Sequence, residues 1–523
     1  MTWPFGGPPA ARGTVHLVGG GPGDPGLIGL RAARLLATAT VVAYDRLAPA
    51  EALGLCAEDC ALVDVGKLPD RHAMTQDEIN ALLVERALAG QAVVRLKGGD
   101  PFVLGRGSEE AQACVAAGVP FEVVPAVTAG VAAPAYAGIP VTHRGVAPAF
   151  AVVTGHEDPT KPGSQVDYAA LAAFPGTLLF YMGMRRLGEI AAALVAAGKP
   201  PATPVALVRW GTTARQRTLT ATLADIAERA AAAAFSNPAI VVVGDVVALR
   251  EDIAWYEGEA AWVRHRRPLQ GVSVLVPRTR HQASALSERL RALGAEPVEA
   301  PTIAIAPARD PDRLQECLWR VAEGGFDWLA LTSANGVEAV WEQVTKLGAD
   351  ARLLARVRIA AVGPGTGEAL AAHGLRADLV PERYTTRGLA DAFVEDHRPA
   401  RVLLARADLA TPTLTEALAA AGWETTEVEA YRTVPVAELA PAVRARLTAG
   451  DVDVAAFASS STVRNFVTLL GEPPDPSLRI ASIGPVTSAT CRELGLPVDA
   501  EADPHDLDGL VGAVVAAAGS RRA

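Results

Sequence analysis

Cysteine is scarce in this chain of 523 residues: five, at positions 56, 60, 114, 317 and 491, an odd number with no C-x-x-C pair. That excludes a disulfide framework and the common zinc and redox spacings. Cys56 and Cys60 would share a helical face, yet no nearby histidine completes a metal set. No metal site is therefore read, and reduced thiols are expected. An excess of positive charge is also lacking. The net charge is -10, which argues against a general nucleic-acid binder but leaves room for a local arginine-lined cleft that holds an anion. The opening MTWPFGGPPAARG has no apolar run of the signal-peptide kind, so a cytoplasmic protein is expected. One stretch imitates a membrane span: Val123 to Thr142 carries no charge. Three prolines and two glycines interrupt it, and a buried loop and helix lining a pocket is the better reading. No membrane segment is expected.

A phosphate loop free of acidic residues is missing as well. The stretch HLVGGGPGDPGLIGL looks like a phosphate loop, with a short apolar strand feeding a run of glycines. Counted from Gly19, at the strand end, the dinucleotide pattern G-x-G-x-x-G meets Asp24 at its sixth position; the frame Gly21–Gly26 keeps the glycine spacing but holds Asp24 and two prolines inside it, and no Gly-Lys pair is followed by Ser or Thr. A carboxylate in the loop would repel phosphate. Whatever binds there is held by something other than phosphates.

What is present suits well-buried α/β lobes: 50% hydrophobic and 20% charged residues, in a chain long enough for three or four lobes of roughly 100–200 residues. In the first half, AVVRLK, FAVVTGH, TLLFYMG, PVALVRWG and PAIVVVGDVV are apolar runs that stop at glycines. Thr75-Gln-Asp-Glu78 is a capping box, and Gly90 closes the helix that follows. Strands ending in glycine turns imply a crevice at the carboxyl edge of a sheet. Three strand ends carry a charged group: Asp45 after VVAY, Lys67 after LVDVG and Asp100 after AVVRLKGG. Each alone is ordinary surface charge, but their spacing gathers them on one edge of a parallel sheet.

Residues 255–270, WYEGEAAWVRHRRPLQ, break the rhythm, and a domain boundary is placed there. The second half repeats itself. IAAVGPGTGEALAAHGL is similar to IASIGPVTSATCRELGL, and TSANGVEAV to ASSSTVRNF, in the same order. Two similar lobes facing across a cleft are expected, with the chemistry between them.

The first-half motifs VGGGPGDPGL, YDRL, VGKLPDRHAMTQDEIN, VVRLKGGDPFVLGRGSEE, AYAGIPVTHR, TGH, YMG and ALVRWGTTARQ resemble, in order, the uroporphyrinogen-III C-methyltransferases, over about residues 13–256. That resemblance implies a two-lobed tetrapyrrole methylase fold, with lobes at about 13–147 and 148–256. It also implies S-adenosyl-L-methionine as methyl donor, a ligand without phosphate. The cofactor shell it implies is Pro22, Gly98, Gly99, Asp100, Val103, Thr128, Ala129, Met182 and Gly211. Asp45 matches the family's proton acceptor and Lys67 its proton donor, and a homodimer through this half is implied. Arg106 and Arg144 are candidates for substrate carboxylates, with structural ion pairs as the alternative. Asp70, Ser108 and Ala126 stand where the family would have glycine.

Residues 271–516 resemble uroporphyrinogen-III synthase through VSVLVPRTR, TSANGVEAV, AVGPGTGEAL, VLLARAD, VEAYRTV, FASSS, SIGPVTSAT and DLDGLVGAV. The fold implied has flavodoxin-like lobes, one at about 271–306 plus 436–516 and the other at about 307–435, after a linker at 257–270. Tyr431 matches the family's candidate proton donor; by default a tyrosine after a strand is a packing residue. Ser333, Thr366, Ser459, Ser460 and Thr487 are candidate donors to substrate carboxylates, and helix capping is a compatible role. Taken together, the resemblances imply closure of hydroxymethylbilane to uroporphyrinogen III with inversion of one pyrrole. Two methylations to precorrin-2, which leads to siroheme or cobalamin, would follow. The alternatives are a methyltransferase acting on a later precorrin and a C-terminal half that binds a ligand without catalysis. No nicotinamide-dependent dehydrogenase domain is read.

Overall fold

The computed structural model describes residues 7–57, 59–66, 74–157, 165–257, 266–277, 280–408 and 412–519. These residues form four five-stranded sheets. Each sheet has a cluster of buried aliphatic side chains on both faces, as expected when helices cover both sides of a strand layer.

The first sheet is parallel, in the order Ala61–Asp64, Val41–Tyr44, Ala92–Lys97, Thr14–Gly19, Phe121–Val124. Because every strand runs the same way, Gly20, Asp45, Gly98 and Pro125 all begin turns on one edge. The capping box forms as the sequence predicts: Thr75 and Glu78 cap each other at the start of helix Gln76–Leu88, and Gly90 follows its end with a φ of 77°.

The second sheet is mixed. Its order is Phe150–Thr154, Thr177–Tyr181, Ala239–Val243, Pro204–Arg209, Arg217–Thr222, and only the first pair is parallel. The tight turn from Trp210 to Gln216 makes a hairpin, and Ala239–Val243 then enters between strands of opposite direction. The uncharged Val123–Thr142 stretch is resolved into a strand end, a loop and the helix Ala129–Tyr136 with Pro134 inside it. Ala133 of that helix and Ala137 just after its end are buried in the core of the second sheet, so it joins the two lobes. No described helix is long and apolar enough to cross a membrane.

In the second half, one sheet runs Glu296–Glu299, Ser273–Val276, Val454–Phe457, Arg479–Ser482, Ala500–Glu501, all parallel. The other runs Ile303–Pro307, Glu424–Pro435, Arg401–Ala407, Trp328–Leu331, Arg358–Ala361, with only its first strand antiparallel. Ile303–Pro307 pairs with Tyr431–Pro435 and so lies in the second of these sheets. The chain therefore passes from one sheet to the other before residue 303, ahead of the expected division at 306. The long strand Glu424–Pro435 supplies the spare edge that captures this segment. The sequence repeat is realised as structure: Trp328–Leu331 beside Arg358–Ala361, and Val454–Phe457 beside Arg479–Ser482, each strand leading into a helix that starts at a Ser or Gly-Pro cap.

Candidate functional sites

The first candidate site lies on the carboxyl edge of the first sheet, where it meets the helix Ala129–Tyr136. Gly99 and Gly21 exchange backbone hydrogen bonds at 2.7 and 3.3 Å, which locks the strand-end turn against the opening glycine loop. Gly98 presses on the Asp45 turn so closely that a β-carbon there would stand 2.5 Å from the Leu47 carbonyl oxygen. Asp100 is fixed at both oxygens: Oδ1 accepts from Phe102 N at 2.8 Å and Oδ2 from Ala126 N at 2.9 Å. Val103 closes the same turn through its N–H to the Asp100 carbonyl at 3.4 Å. Across from it, Thr128 Oγ1 and the Tyr181 hydroxyl are 2.6 Å apart, and Gly130 N donates to the same hydroxyl. Met182 follows Tyr181 with a φ of 58° and its side chain about half exposed.

The second lobe closes the far side. Gly211 packs on Ala133, leaving only 2.3 Å between the position of a β-carbon and that of Ala133. Thr212 Oγ1 accepts from Asp24 N at 3.0 Å, and the Tyr136 hydroxyl donates to Asp24 Oδ2 at 2.7 Å. Burial and the neighbouring Asp24 carboxylate raise the pKa of the Tyr136 hydroxyl well above its ordinary value. Asp24, the acid inside the glycine-rich loop, also caps the short turn at Gly26. Leu104, Arg106, Met182, Trp210 and Thr212 all have positive φ without being glycine, and these strained positions gather on the loops of this site.

The structure sets the turn carrying Gly98, Gly99, Asp100 and Val103 against the Asp45 turn, the Gly21 loop and the helix start at Thr128 and Ala129; Gly211 packs on Ala133 of that helix, Met182 follows Tyr181, and Pro22 sits in the loop between Gly21 and Gly23. A β-carbon on Gly99 would point toward the Ala129 amide, 3.7 Å away. Glycine at these close contacts lets backbone approach backbone, and the Gly99 amide and carbonyl are themselves taken up by Gly21. Asp45 follows the strand Val41–Tyr44; its Oδ1 accepts from Leu47 N and Ala48 N at 3.1 Å each, and its Oδ2 lies 3.2 Å from Arg95. Lys67 and Asp70 lie outside the described residues. Ala126 fits its place with its methyl against Gly19, and Ser108 falls in the first turn of helix Gly107–Ala116.

Of the two candidate arginines, Arg106 pairs with Glu109 at 2.7 Å, whereas Arg144 is exposed and makes no ion pair among the described residues. Sequence reasoning passed over Tyr136, Tyr181, Thr212 and the buried charges Arg95, Lys97 and Glu110. The last group had a legible signal: two cations in an otherwise apolar strand, AVVRLK.

The second candidate site is built from helix starts. Ser333 caps the helix Ala334–Lys346 by accepting from Gly336 N at 3.0 Å, and its Oγ is 2.9 Å from the Tyr431 hydroxyl. Tyr431 is nearly buried, at a register shift where Ala407 meets the strand Glu424–Pro435. Thr366 is buried in the first turn of helix Pro364–Ala372, which packs beside Ala334–Lys346. On the other sheet, Ser459 caps helix Ser460–Leu470 through Thr462 N at 3.4 Å, and Ser460 Oγ donates to the Val486 carbonyl at 3.2 Å. Thr487 is buried in the adjoining helix Pro485–Glu493. Two groups result, Ser333 with Tyr431 and Thr366 on one sheet, and Ser459, Ser460 and Thr487 on the other; no hydrogen bond joins them among the described residues. Both present helix N-termini, where amides favour anions.

The tetrapyrrole (corrin/porphyrin) methylase family model matches residues 14–227, and the uroporphyrinogen-III synthase HemD model matches residues 284–512. Among curated relatives, the uroporphyrinogen-III C-methyltransferase of Bacillus subtilis (strain 168) is 44% identical over 290 residues, 55% of this chain and 58% of that protein. A crystal structure of uroporphyrin-III C-methyl transferase from Thermus thermophilus, complexed with S-adenyl homocysteine, is 41% identical, with a TM-score of 0.39 over 45% of this chain and 99% of that one. The porphyrin biosynthesis protein HemD of Ruminiclostridium josui is 36% identical over 491 residues, 93% of this chain and 94% of that protein. With likeness running through both halves, the chain belongs to the porphyrin-biosynthesis enzymes in which a tetrapyrrole methylase is joined to a uroporphyrinogen-III synthase.

Proposed function

We propose that the C-terminal half closes hydroxymethylbilane to uroporphyrinogen III and that the N-terminal half methylates this product twice to precorrin-2. The observation that carries the reading is the contact of the Asp45 turn with the Gly98–Asp100 turn, which sets a carboxylate beside a backbone cradle. S-adenosyl-L-methionine, when bound, supplies an electrophilic methyl group on sulfur.

The cradle residues Gly98, Gly99, Thr128, Ala129 and Gly211 would hold the donor by backbone groups, with Met182 over its exposed side. Asp45 takes up the proton that the newly methylated ring must lose, and Lys67 returns one where the product needs it. Fixed placement of two reactants supplies much of the rate, and proton transfer adds about 10²–10⁴-fold. In the synthase half, the Tyr431 hydroxyl protonates the terminal hydroxyl of the linear substrate, which leaves as water. Ser333, Thr366, Ser459, Ser460, Thr487 and the helix-start amides receive its carboxylates. Arg144, free of an ion pair among the described residues, is the better placed of the two arginines to meet a ring carboxylate in the methylase half.

Incubating the purified full chain anaerobically with hydroxymethylbilane and S-adenosyl-L-methionine tests both activities. Two methyl additions on a type-III ring, read by mass and absorbance, are expected. Type-I material alone, still unmethylated after type-III substrate is added, overturns both assignments. Type-III product without methyl groups leaves the synthase alone standing.

A further inference from the structure

We infer that Arg95, Glu110 and Lys97 form a buried positioning network for the Asp45 carboxylate. The inference deepens the methylase reading above and rests on it. Arg95 and Lys97 sit two apart on the strand Ala92–Lys97, so both side chains leave the same face of the sheet. There they meet Glu110 from the helix Gly107–Ala116: Arg95 Nε and Lys97 Nζ donate to the same oxygen, Oε1, at 3.0 and 2.9 Å. The three side chains are 4%, 5% and 0% exposed. Gln76 Nε2 also reaches this oxygen at 3.4 Å, and Arg95 donates to the Leu96 carbonyl at 2.9 Å.

Stability alone is a poor reason for such a cluster. Buried ion networks are often matched or bettered by apolar packing of the same volume. The arrangement is informative for what it aims. A guanidinium is planar, so the bond from Nε to Glu110 fixes the direction in which its NH2 group points. That group points at Asp45 Oδ2, 3.2 Å away. Asp45 Oδ1 is already occupied by two backbone amides, whereas Oδ2 takes the Arg95 bond and keeps lone-pair capacity. Asp45 is the partly exposed end of the network, its side chain 29% exposed. Two cations and two carboxylates balance, and the Asp45 carboxylate, the one partly exposed member, is held at a fixed angle. Lys97 completes this balance: burial, then the charge of Arg95, lower its pKa, and Glu110 opposes both.

The test uses the full chain with Arg95→Lys, which keeps the charge but not the fork, and Glu110→Gln, which keeps the shape but not the charge. Methylation of uroporphyrinogen III is measured at steady state. The synthase rate of the same preparation and binding of S-adenosylhomocysteine report folding of each half. Both variants should lose about 10–100-fold in kcat while KM for either substrate stays within about two-fold. In an Asp45→Asn background the same changes should cost little more, because the group they position is gone. Unchanged kcat, a loss confined to KM, or a full further loss in the Asp45→Asn background would overturn the network. If Asp45→Asn itself leaves kcat unchanged, the assignment of Asp45 as proton acceptor falls with it. A costly Asp45→Asn beside a harmless Arg95→Lys and Glu110→Gln removes only the network.

Discussion

The two candidate sites solve different problems with different material. The methylase crevice joins a backbone cradle to one carboxylate, backed by buried charges on the neighbouring strand and helix. The synthase side offers hydroxyls and helix starts, with a single nearly buried tyrosine. In the first, a few atoms must be held to fractions of an ångström, so single substitutions should be severe. In the second, on the proposed reading, many equivalent donors would share an extended, flexible, polyanionic substrate, so losses should be graded. The contrast shows how one chain can carry a reaction that depends on one point and a reaction that depends on a surface.

The sharpest test of that contrast is Asp45→Asn. Removing the carboxylate while keeping its shape should lower methylation by about 10²–10⁴-fold, with uroporphyrinogen III formation unchanged. Rates of both reactions on one preparation decide it. A mild effect would mean that the methylase half is as distributed as its neighbour.

Gly211→Ala comes next. The added methyl would lie 2.3 Å from the Ala133 β-carbon, between the hairpin turn and the helix that carries Ala129. Overpacking of this kind costs about 1–3 kcal/mol, so binding of S-adenosylhomocysteine should weaken by about 10–100-fold. Calorimetric titration measures it. An unchanged affinity would show that the cradle yields, against the fixed geometry argued above.

Tyr431→Phe should cost the synthase about 10-fold and leave methylation untouched, since the Ser333 hydroxyl and the helix-start amides remain. A loss beyond about 10³-fold would make Tyr431 the single indispensable group and erase the contrast between the halves. Ser333→Ala is the companion variant. It removes both the Tyr431 contact and a helix cap, the latter worth about 1 kcal/mol.

How much of this was readable beforehand depends on the range of the interaction. The strand AVVRLK, the capping box at Thr75 and the turns at Asp45 and Gly98 are local patterns. Parallel strands then carry those turns to one edge without further information. The Ser and Gly-Pro caps of the second half were visible because they repeat. What escaped depends on tertiary partners: Tyr136 reaching Asp24, Tyr181 reaching Thr128, and Glu110 meeting two cations across 13 and 15 residues. The mixed second sheet escaped for a similar reason. An apolar run has the same appearance whether its neighbour runs parallel or antiparallel. The capture of Ile303–Pro307 by the far sheet depends on the unusual length of the strand Glu424–Pro435, which no local signal around residue 303 announces.

The smallest expected effect concerns the place where the halves touch. Arg215, in the hairpin turn beside Gly211, lies over the Trp210 ring at 4.1 Å and pairs with Glu296 of the synthase half at 3.2 Å. Glu296 is also bound by Arg446 at 2.9 Å, so it is already anchored on its own side. Arg215 is nearly half exposed, and exposed pairs are worth about 0–1 kcal/mol. Arg215→Ala should therefore shift thermal unfolding by a few degrees at most and leave both rates within about two-fold. A large loss of methylation with the synthase rate intact would sharpen the comparison in an unexpected direction. It would mean that the strained Trp210–Thr212 turn, and with it one wall of the cradle, is held in place by a carboxylate belonging to the other enzyme.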